Sequence, residues 1–213
     1  MQSGAVDVER IASDNLGPMY SDEWTLGYEQ ELGDQLKGGA SWNVRNSGIM
    51  LHSQSAKSLT HNQTFPVSLE LQLLGGLGGN TTRHTGNLCS PGTEVYMQNK
   101  IVTDHCTDSD SKTYHGDQWV KVEAIVLGDS IVHHIIEGDT VLTYEKPHIG
   151  GGFVSADYNW EKAGIDPKSA EAWIKKDGML LKEGYIAMQA ESHAIDFKNI
   201  ELLDKLEKFY IEE

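Results

Sequence analysis

One apolar segment carries the residues with the clearest potential for chemistry. In Val67–Leu74 (VSLELQLL) a carboxylate and an amide, Glu70 and Gln72, alternate with aliphatic residues. Successive strand side chains point to opposite faces, so the leucines are predicted to face a core while Ser68, Glu70 and Gln72 share the other face. Such a face could bind a sugar through hydroxyl, amide and carboxylate groups on a rigid strand. An ordinary solvated sheet face has the same pattern, and alternation does not separate the two interpretations.

Three other segments place polar residues at alternate strand positions. The residues that share a face are Asn46, Gly48, Met50 and His52 in the first, Ala187, Gln189 and Glu191 in the second, and His133, Ile135 and Glu137 in the third. His134 must point away from His133, so at most one of the two can line a given site. A lone strand histidine is more often structural than catalytic. Trp160 and Trp173 could stack on a sugar ring or pack against the sheets.

Composition excludes several functions for this chain of 213 residues. Its 17 basic and 32 acidic side chains repel phosphate backbones, so nucleic acid is not an expected partner. No segment is apolar enough to span a membrane, and Met1–Val8 lacks the basic and apolar regions of a signal peptide. Phosphate-loop, EF-hand, HExxH and GxSxG patterns are missing, so the nucleotide sites, calcium sites and hydrolase classes that use them are not indicated, and no particular cofactor is predicted. Scattered histidines and carboxylates leave a divalent metal ion open.

Cys89 and Cys106 are the two cysteines, and both lie in polar segments typical of loops. Neither has the spacing of a metal site, so a disulfide is the simplest interpretation, with two free thiols as the alternative. A disulfide would indicate the periplasm, the cell surface or secretion.

The elements that must position these residues are mainly strands. The predicted strands are Trp24–Leu32, Gly48–Ser53, Val67–Leu74, Glu94–Met97, Trp119–Leu127, Ser130–Glu137, Val141–Glu145, Gly184–Gln189 and Ala194–Leu202. Pro167–Lys176 is predicted to be a short helix capped by Asp166, and the tail from Leu203 could form a second. The links LGDS (127–130) and EGDT (137–140) indicate hairpins. We therefore expect one all-β antiparallel sandwich, with the long segments 75–93 and 146–184 at the rim of a site.

Five segments in this order resemble the 3-keto-disaccharide hydrolase family: NSGIMLHS, SLELQLLGG, TYHGDQWVKVEAIVLGDSIVHHIIEG, KPHIGGG and LKEGYIAMQAESHAIDFKNIEL. The resemblance covers about Tyr20 to Leu202, so we expect a jelly-roll domain over residues 20–203. It is preceded by an N-terminal extension or partial first strand (1–19) and followed by a C-terminal tail (204–213). The resemblance implies a concanavalin A-like jelly roll, export, and cleavage of glycosides oxidised to a ketone at C3. The cysteine pair is similar to that of one branch of the family, which supports the disulfide.

The resemblance also implies roles for individual residues. A C3 ketone acidifies the C2 hydrogen, so a general base can form an enolate that expels the C1 substituent, and water can then add. Glu70 is the expected base, and His52 or His133 the expected proton donor or enolate stabiliser. The expected sugar ligands are Asn46, Gln72, Gln189, Glu191 and Trp160. His52 stands where the family commonly has arginine. The alternatives are a non-catalytic carbohydrate-binding module and a structural or adhesive surface protein.

Overall fold

The computed structural model describes residues 27–29, 44–151, 164–191 and 195–203, most of which lie in or between strands. The strands are β1 (Gly27–Glu29), β2 (Asn46–Ser53), β3 (Leu69–Gly76), β4 (Asn87–Cys89), β5 (Thr93–Met97), β6 (Lys100–Val102), β7 (Cys106–Thr107), β8 (Tyr114–His115), β9 (Val122–Leu127), β10 (Ile131–Ile136), β11 (Asp139–Ile149), β12 (Tyr185–Glu191) and β13 (Asp196–Lys198). Helix α1 spans Pro167–Ile174, and Ala56–Ser58 form a 3-10 turn. Within these ranges no helix has the length and apolar character needed to cross a membrane.

Two sheets form the body of the domain. One has five strands in the order β6-β5-β11-β10-β9, and the other runs β12-β2-β3-β4-β7, with β8 added beside β3 as its sixth strand. The β3–β8 pairing is parallel and the other pairings of the two sheets are antiparallel. Strands β1 and β13 form a separate antiparallel pair. The predicted all-β class is confirmed, and the arrangement is that of a jelly-roll sandwich.

The core lies between the two sheets because each contributes one apolar face. Leu69, Leu71 and Leu73 of β3 are at most 1% exposed and join a cluster with residues of the opposite sheet, including Val132 and Tyr144. The alternation of β3 is therefore the predicted one, and its other face carries Glu70 and Gln72. Burial of the leucines contributes about 2 kcal/mol each.

Local sequence signals located several elements correctly. The predicted hairpin at 127–130 joins β9 to β10, and the one at 137–140 joins β10 to β11. Glu137 and Gly138 both have positive φ, as a two-residue turn of this hand requires. Asp166 caps α1 by accepting hydrogen bonds from the backbone N–H groups of Lys168 and Ser169. The helix ends at Ile174, slightly earlier than predicted, and the short strands β4, β6, β7 and β8 were not predicted.

Candidate active site

The polar face of the six-stranded sheet is buried, which contradicts the interpretation as an ordinary solvated face. Glu70 is 4% exposed and Gln72 is 9% exposed, although both point away from the core between the sheets. A cavity of about 510 Å³ lies against this face. Its lining residues are Asn46, Phe65, Glu70, Gln72, Leu74, Arg83, Asn87, Cys89, Pro91, His105, Cys106, Asp108 and Glu191.

Gly48 explains how the side chain of Glu70 is placed. Strand β2 lies between β3 and β12, and Gly48 is opposite both Gln72 and Gln189 in the two pairings. A Cβ atom added at Gly48 would lie 2.8 Å from Cγ of Glu70 and closer still to its Oε1. The missing side chain therefore lets the Glu70 carboxylate cross β2 and accept a 2.7 Å hydrogen bond from Nε2 of Gln189.

Burial gives the Glu70 carboxyl an unusual proton affinity. Removal from water raises its pKa from 4.5 to about 7, the hydrogen bond from Gln189 opposes the rise, and the charge of Glu191 adds to it. Desolvation dominates because water stabilises a carboxylate far better than a buried environment does. Near neutral pH the group is divided between its two protonation states, which suits a general base.

A second carboxylate lies at the end of the same face. Asn46 donates a 2.8 Å hydrogen bond from Nδ2 to Oε2 of Glu191 across the β2–β12 pairing. Burial raises the pKa of Glu191, and the hydrogen bond from Asn46 opposes that rise. Both residues line the cavity that contains Glu70. Their predicted contact with substrate remains a prediction, and their placement is compatible with it.

Gln72 is held by a chain of hydrogen bonds from the neighbouring strand. Asn87 donates from Nδ2 to Oε1 of Gln72 at 3.2 Å, and the backbone N–H of Ser109 donates to Oδ1 of Asn87 at 2.9 Å. The backbone donor fixes the orientation of the Asn87 amide, which in turn fixes that of Gln72. Gln72 is thus a preorganised amide in the cavity lining.

The cysteines form the predicted disulfide, with an S–S distance of 2.02 Å. The alternative of two free thiols is therefore wrong. Cys89 pairs with Glu70 in one direction and with Cys106 in the other. The bond is consequently part of the wall of the Glu70 cavity.

Neither histidine predicted to act with Glu70 lies in its cavity. His52 has a left-handed backbone conformation, φ 47°, and its Nε2 is 3.1 Å from the carbonyl oxygen of Gly128 in the β9–β10 turn of the other sheet. Regular alternation stops at this residue, and burial lowers the pKa of its imidazole. His133 lies on β10 of the five-stranded sheet, with Nδ1 2.8 Å from Oγ1 of Thr143. The expectation that either histidine meets Glu70 is corrected.

His134 occupies the opposite face of β10, as alternation requires. It is fully buried, with Nδ1 2.9 Å from the carbonyl of Gly86 and Nε2 3.1 Å from the hydroxyl of Tyr144. Burial lowers its pKa to about 4. The neutral imidazole donates to the carbonyl and accepts from the phenol, so His134 is a structural residue of the core.

Four polar residues of the cavity lining were not predicted, namely Arg83, Asn87, His105 and Asp108. Arg83 donates from Nη1 to the carbonyl oxygens of Val44 and Gly75, each at 2.7 Å. Arg83 and Asn87 belong to the segment 75–93, whose length was the signal of a functional rim. His105 and Asp108 flank β7, which is too short for periodicity to reveal.

Trp173, one of the two tryptophans expected to stack on a sugar ring or pack against the sheets, does not line this cavity. Trp160 lies outside the described residues. Trp173 on α1 lines a different cavity, of about 490 Å³, together with His52 and Tyr185. There the Nζ atom of Lys176 lies 4.4 Å from the centre of the indole ring. Across the described part of the chain, no group of three or more histidine, cysteine, aspartate or glutamate residues is arranged to hold a metal ion.

Comparison with known proteins identifies the family of the chain. A search of curated proteins found no match. A family model described as the 3-keto-alpha-glucoside-1,2-lyase-like domain matches residues 20–203, which include every described residue of the cavity. Because that match spans most of the sequence, the chain belongs to the 3-keto-alpha-glucoside-1,2-lyase-like family.

Proposed function

We propose that this protein cleaves glycosides bearing a ketone at C3 of the sugar, by elimination of the C1 substituent, with Glu70 as the base. The observation that carries the proposal is a buried carboxyl whose pKa is about 7, held by Gln189 in a cavity large enough for a sugar. Family membership supports glycoside cleavage as the general activity.

The reaction begins with transfer of the C2 proton to the Glu70 carboxylate. The electrons of the C2–H bond form an enolate with the C3 carbonyl. When that carbonyl reforms, a C1–C2 double bond appears and the C1–O bond breaks, releasing an alcohol and leaving an enone. Water can then add to the enone, which gives net hydrolysis. A base of pKa about 7 suits this step because the ketone makes the C2 hydrogen unusually acidic for a sugar.

We assign to Arg83 the stabilisation of the negatively charged enolate oxygen. A guanidinium stays charged at all relevant pH values, and a fixed positive group stabilises an oxyanion more strongly in a cavity than in water. Its two backbone hydrogen bonds hold it at the wall. Arg83 thus supplies a permanent positive charge, although the position where the family commonly has arginine is His52 in this chain.

His105 replaces His52 and His133 as the proposed proton donor to the departing oxygen. It lines the same cavity as Glu70, on the segment that includes β7. Partial burial lowers the pKa of His105, so its protonated form is a stronger acid than a fully hydrated imidazolium. Asn46, Gln72 and Glu191 are the proposed sugar ligands, while Gln189 primarily orients the base.

Two features favour an enzyme over a carbohydrate-binding module. A module is expected to present a shallow, aromatic-lined groove. Among the described residues that line this cavity, Phe65 is the single phenylalanine, tyrosine or tryptophan. A module also has no need of a carboxyl with strongly altered proton affinity, as Glu70 has. The disulfide supports a proposed location in the periplasm, on the cell surface or outside the cell.

The test is release of a chromogenic alcohol from a 3-keto-glucoside. Glu70→Gln keeps the shape of the side chain but removes the base, and should lower kcat by roughly 100-fold or more. Glu201→Gln makes the same chemical change at an exposed site and should leave kcat unchanged. Mass spectrometry of the sugar product separates the enone from its hydrated form.

The outcomes discriminate between functions. Binding without turnover, across several 3-keto-glycosides, would favour the carbohydrate-binding module. Turnover that survives Glu70→Gln would reject Glu70 as the base while leaving the activity in place.

A further inference from the structure

We propose that the Cys89–Cys106 disulfide is a positioning element for Glu70: it holds the segment His105–Asp108 as a wall of the cavity and thereby keeps water from the base. The inference rests on the proposed function for its catalytic meaning. Its structural part concerns the protonation of Glu70 and can be measured without substrate.

The disulfide lies directly beside Glu70 on the polar face. Three strands place Glu70, Cys89 and Cys106 in one row, since Glu70 pairs with Cys89 and Cys89 with Cys106. Partners in adjacent antiparallel strands have Cβ atoms about 5 Å apart and project to the same side. The two cysteine side chains therefore project from the same face of the sheet as Glu70, on the side of β3 opposite to β2.

Strand β7 has few other attachments to the sheet. It is two residues long, occupies the edge of the described sheet, and pairs with β4 only through Leu88–Thr107 and Cys89–Cys106. Before β7, the backbone N–H and the hydroxyl of Ser90 donate to the carbonyl of His105 at 2.8 and 3.4 Å. After β7, Ser109 donates from its N–H to Oδ1 of Asn87 at 2.9 Å and from its hydroxyl to the carbonyl of Thr85 at 2.7 Å. Because Ser109 anchors the end that follows β7, the part expected to open without the covalent bond is the short edge around His105 and Cys106. Because His105 and Cys106 line the cavity, opening there would remove part of one wall.

An open wall would change the protonation of Glu70 in a definite direction. The charged or titratable groups of the lining are Glu191 on β12, Arg83 before β4, and His105 and Asp108 beside β7. Glu191 and Gln189 belong to β12 at the other side of the sheet and would stay in place. The main change would be entry of water, which removes the desolvation that raises the pKa of Glu70.

Two paired substitutions test the proposal. Cys89→Ala with Cys106→Ala removes the bond and the sulfur atoms. Cys89→Val with Cys106→Val removes the bond but keeps an apolar cross-strand pair, which is the variant more certain to fold. The pKa of Glu70 is followed by carbon NMR of labelled carboxyl groups in ligand-free protein, with Glu70→Gln identifying the signal. In both variants the pKa of Glu70 should fall from about 7 to about 6 or below.

Kinetics supply the second measurement. The acidic limb of the kcat profile should move to lower pH with the pKa, and the plateau of kcat should fall roughly 10-fold because a weaker base remains. Val126→Ala is the control, since Val126 is buried in β9 of the other sheet, away from the cavity. This substitution should lower thermal stability without changing the pKa of Glu70 or the pH profile of kcat.

Each outcome decides the proposal. A folded valine pair with wild-type pKa and wild-type kcat would overturn it, because the covalent bond would then be dispensable. An equal pKa shift in Val126→Ala would also overturn it, by showing general loosening. If the pKa falls in both pairs but the wild type never turns over a 3-keto-glycoside, the proposed function fails and the role of the disulfide in holding the wall stands.

Discussion

Replacing Gly48 with alanine tests whether a missing side chain lets Glu70 reach Gln189 across β2. The added methyl group would lie 2.8 Å from Cγ of Glu70, a distance that side chains do not tolerate. Backbone pairing on both sides holds Gly48 in place, so the Glu70 side chain must move. We expect the 2.7 Å hydrogen bond from Gln189 to break.

The size of the effect follows from that hydrogen bond. A hydrogen bond to a charged group contributes about 1.5 to 3 kcal/mol, and a misplaced base loses that orientation in the transition state. Each rise of about 1.4 kcal/mol in the activation free energy lowers the rate tenfold, so kcat/KM for a 3-keto-glucoside should fall about 10- to 100-fold. Overpacking should also lower the free energy of unfolding by about 1 to 3 kcal/mol, measured by urea denaturation.

A double-mutant cycle provides the control. If Gly48→Ala acts through Glu70, its effect on kcat/KM should nearly vanish when Glu70→Gln is already present, because neighbouring residues that act as a unit are not additive. The effect of Gly48→Ala should likewise not add to that of Gln189→Ala. A folded Gly48→Ala enzyme with wild-type kcat/KM, or full additivity in the cycle, would refute the proposed placement of the base.

Three further predictions concern ionisable groups. Because the pKa of Glu70 is about 7 when folded against 4.5 ordinarily, its neutral form stabilises the fold fully below pH 4.5 and that contribution is lost as pH rises through 7. Between pH 4 and pH 8, the unfolding free energy of Glu70→Gln, measured by urea titration, should rise by about 3 kcal/mol relative to that of the wild type. If the two proteins showed the same dependence of unfolding free energy on pH, the raised pKa would be contradicted. His134 has the opposite sign: its pKa of about 4 against 6.5 means that stability is lost as pH falls from 6.5 towards 4, and His134→Phe should abolish about 3 kcal/mol of that loss in acid denaturation. Arg83→Lys keeps the charge but loses the guanidinium contacts with two carbonyls, so kcat should fall roughly 100-fold with little change in KM, whereas a rise in KM alone would argue against enolate stabilisation.

Predictions that depend on neighbouring residues were accurate. Alternation correctly separated the leucines of β3 from Glu70 and Gln72, because successive strand side chains point to opposite faces in any sheet. The hairpin signals at 127–130 and 137–140 located three consecutive strands for the same local reason. Helix α1 followed from Asp166 and the proline after it.

Predictions about which strands lie together were less accurate. His133 was placed on the correct strand, but that strand belongs to the other sheet. His52 leaves the Glu70 face because its backbone adopts a left-handed conformation. A histidine at this position does not predict that conformation. His105 reaches the cavity from beside a two-residue edge strand held by a disulfide.

The sequence by itself determined an all-β sandwich, the faces of β3, the cysteine pair as a disulfide candidate and Glu70 as the base to test. Tertiary structure decided that this polar face is buried, that Gly48 lets Glu70 reach Gln189, and that Arg83 and His105 share the cavity. The physical reason is the distance along the chain over which each effect acts. Side-chain direction along a strand is local, whereas the desolvation that raises the pKa of Glu70 depends on what distant segments bring over the sheet.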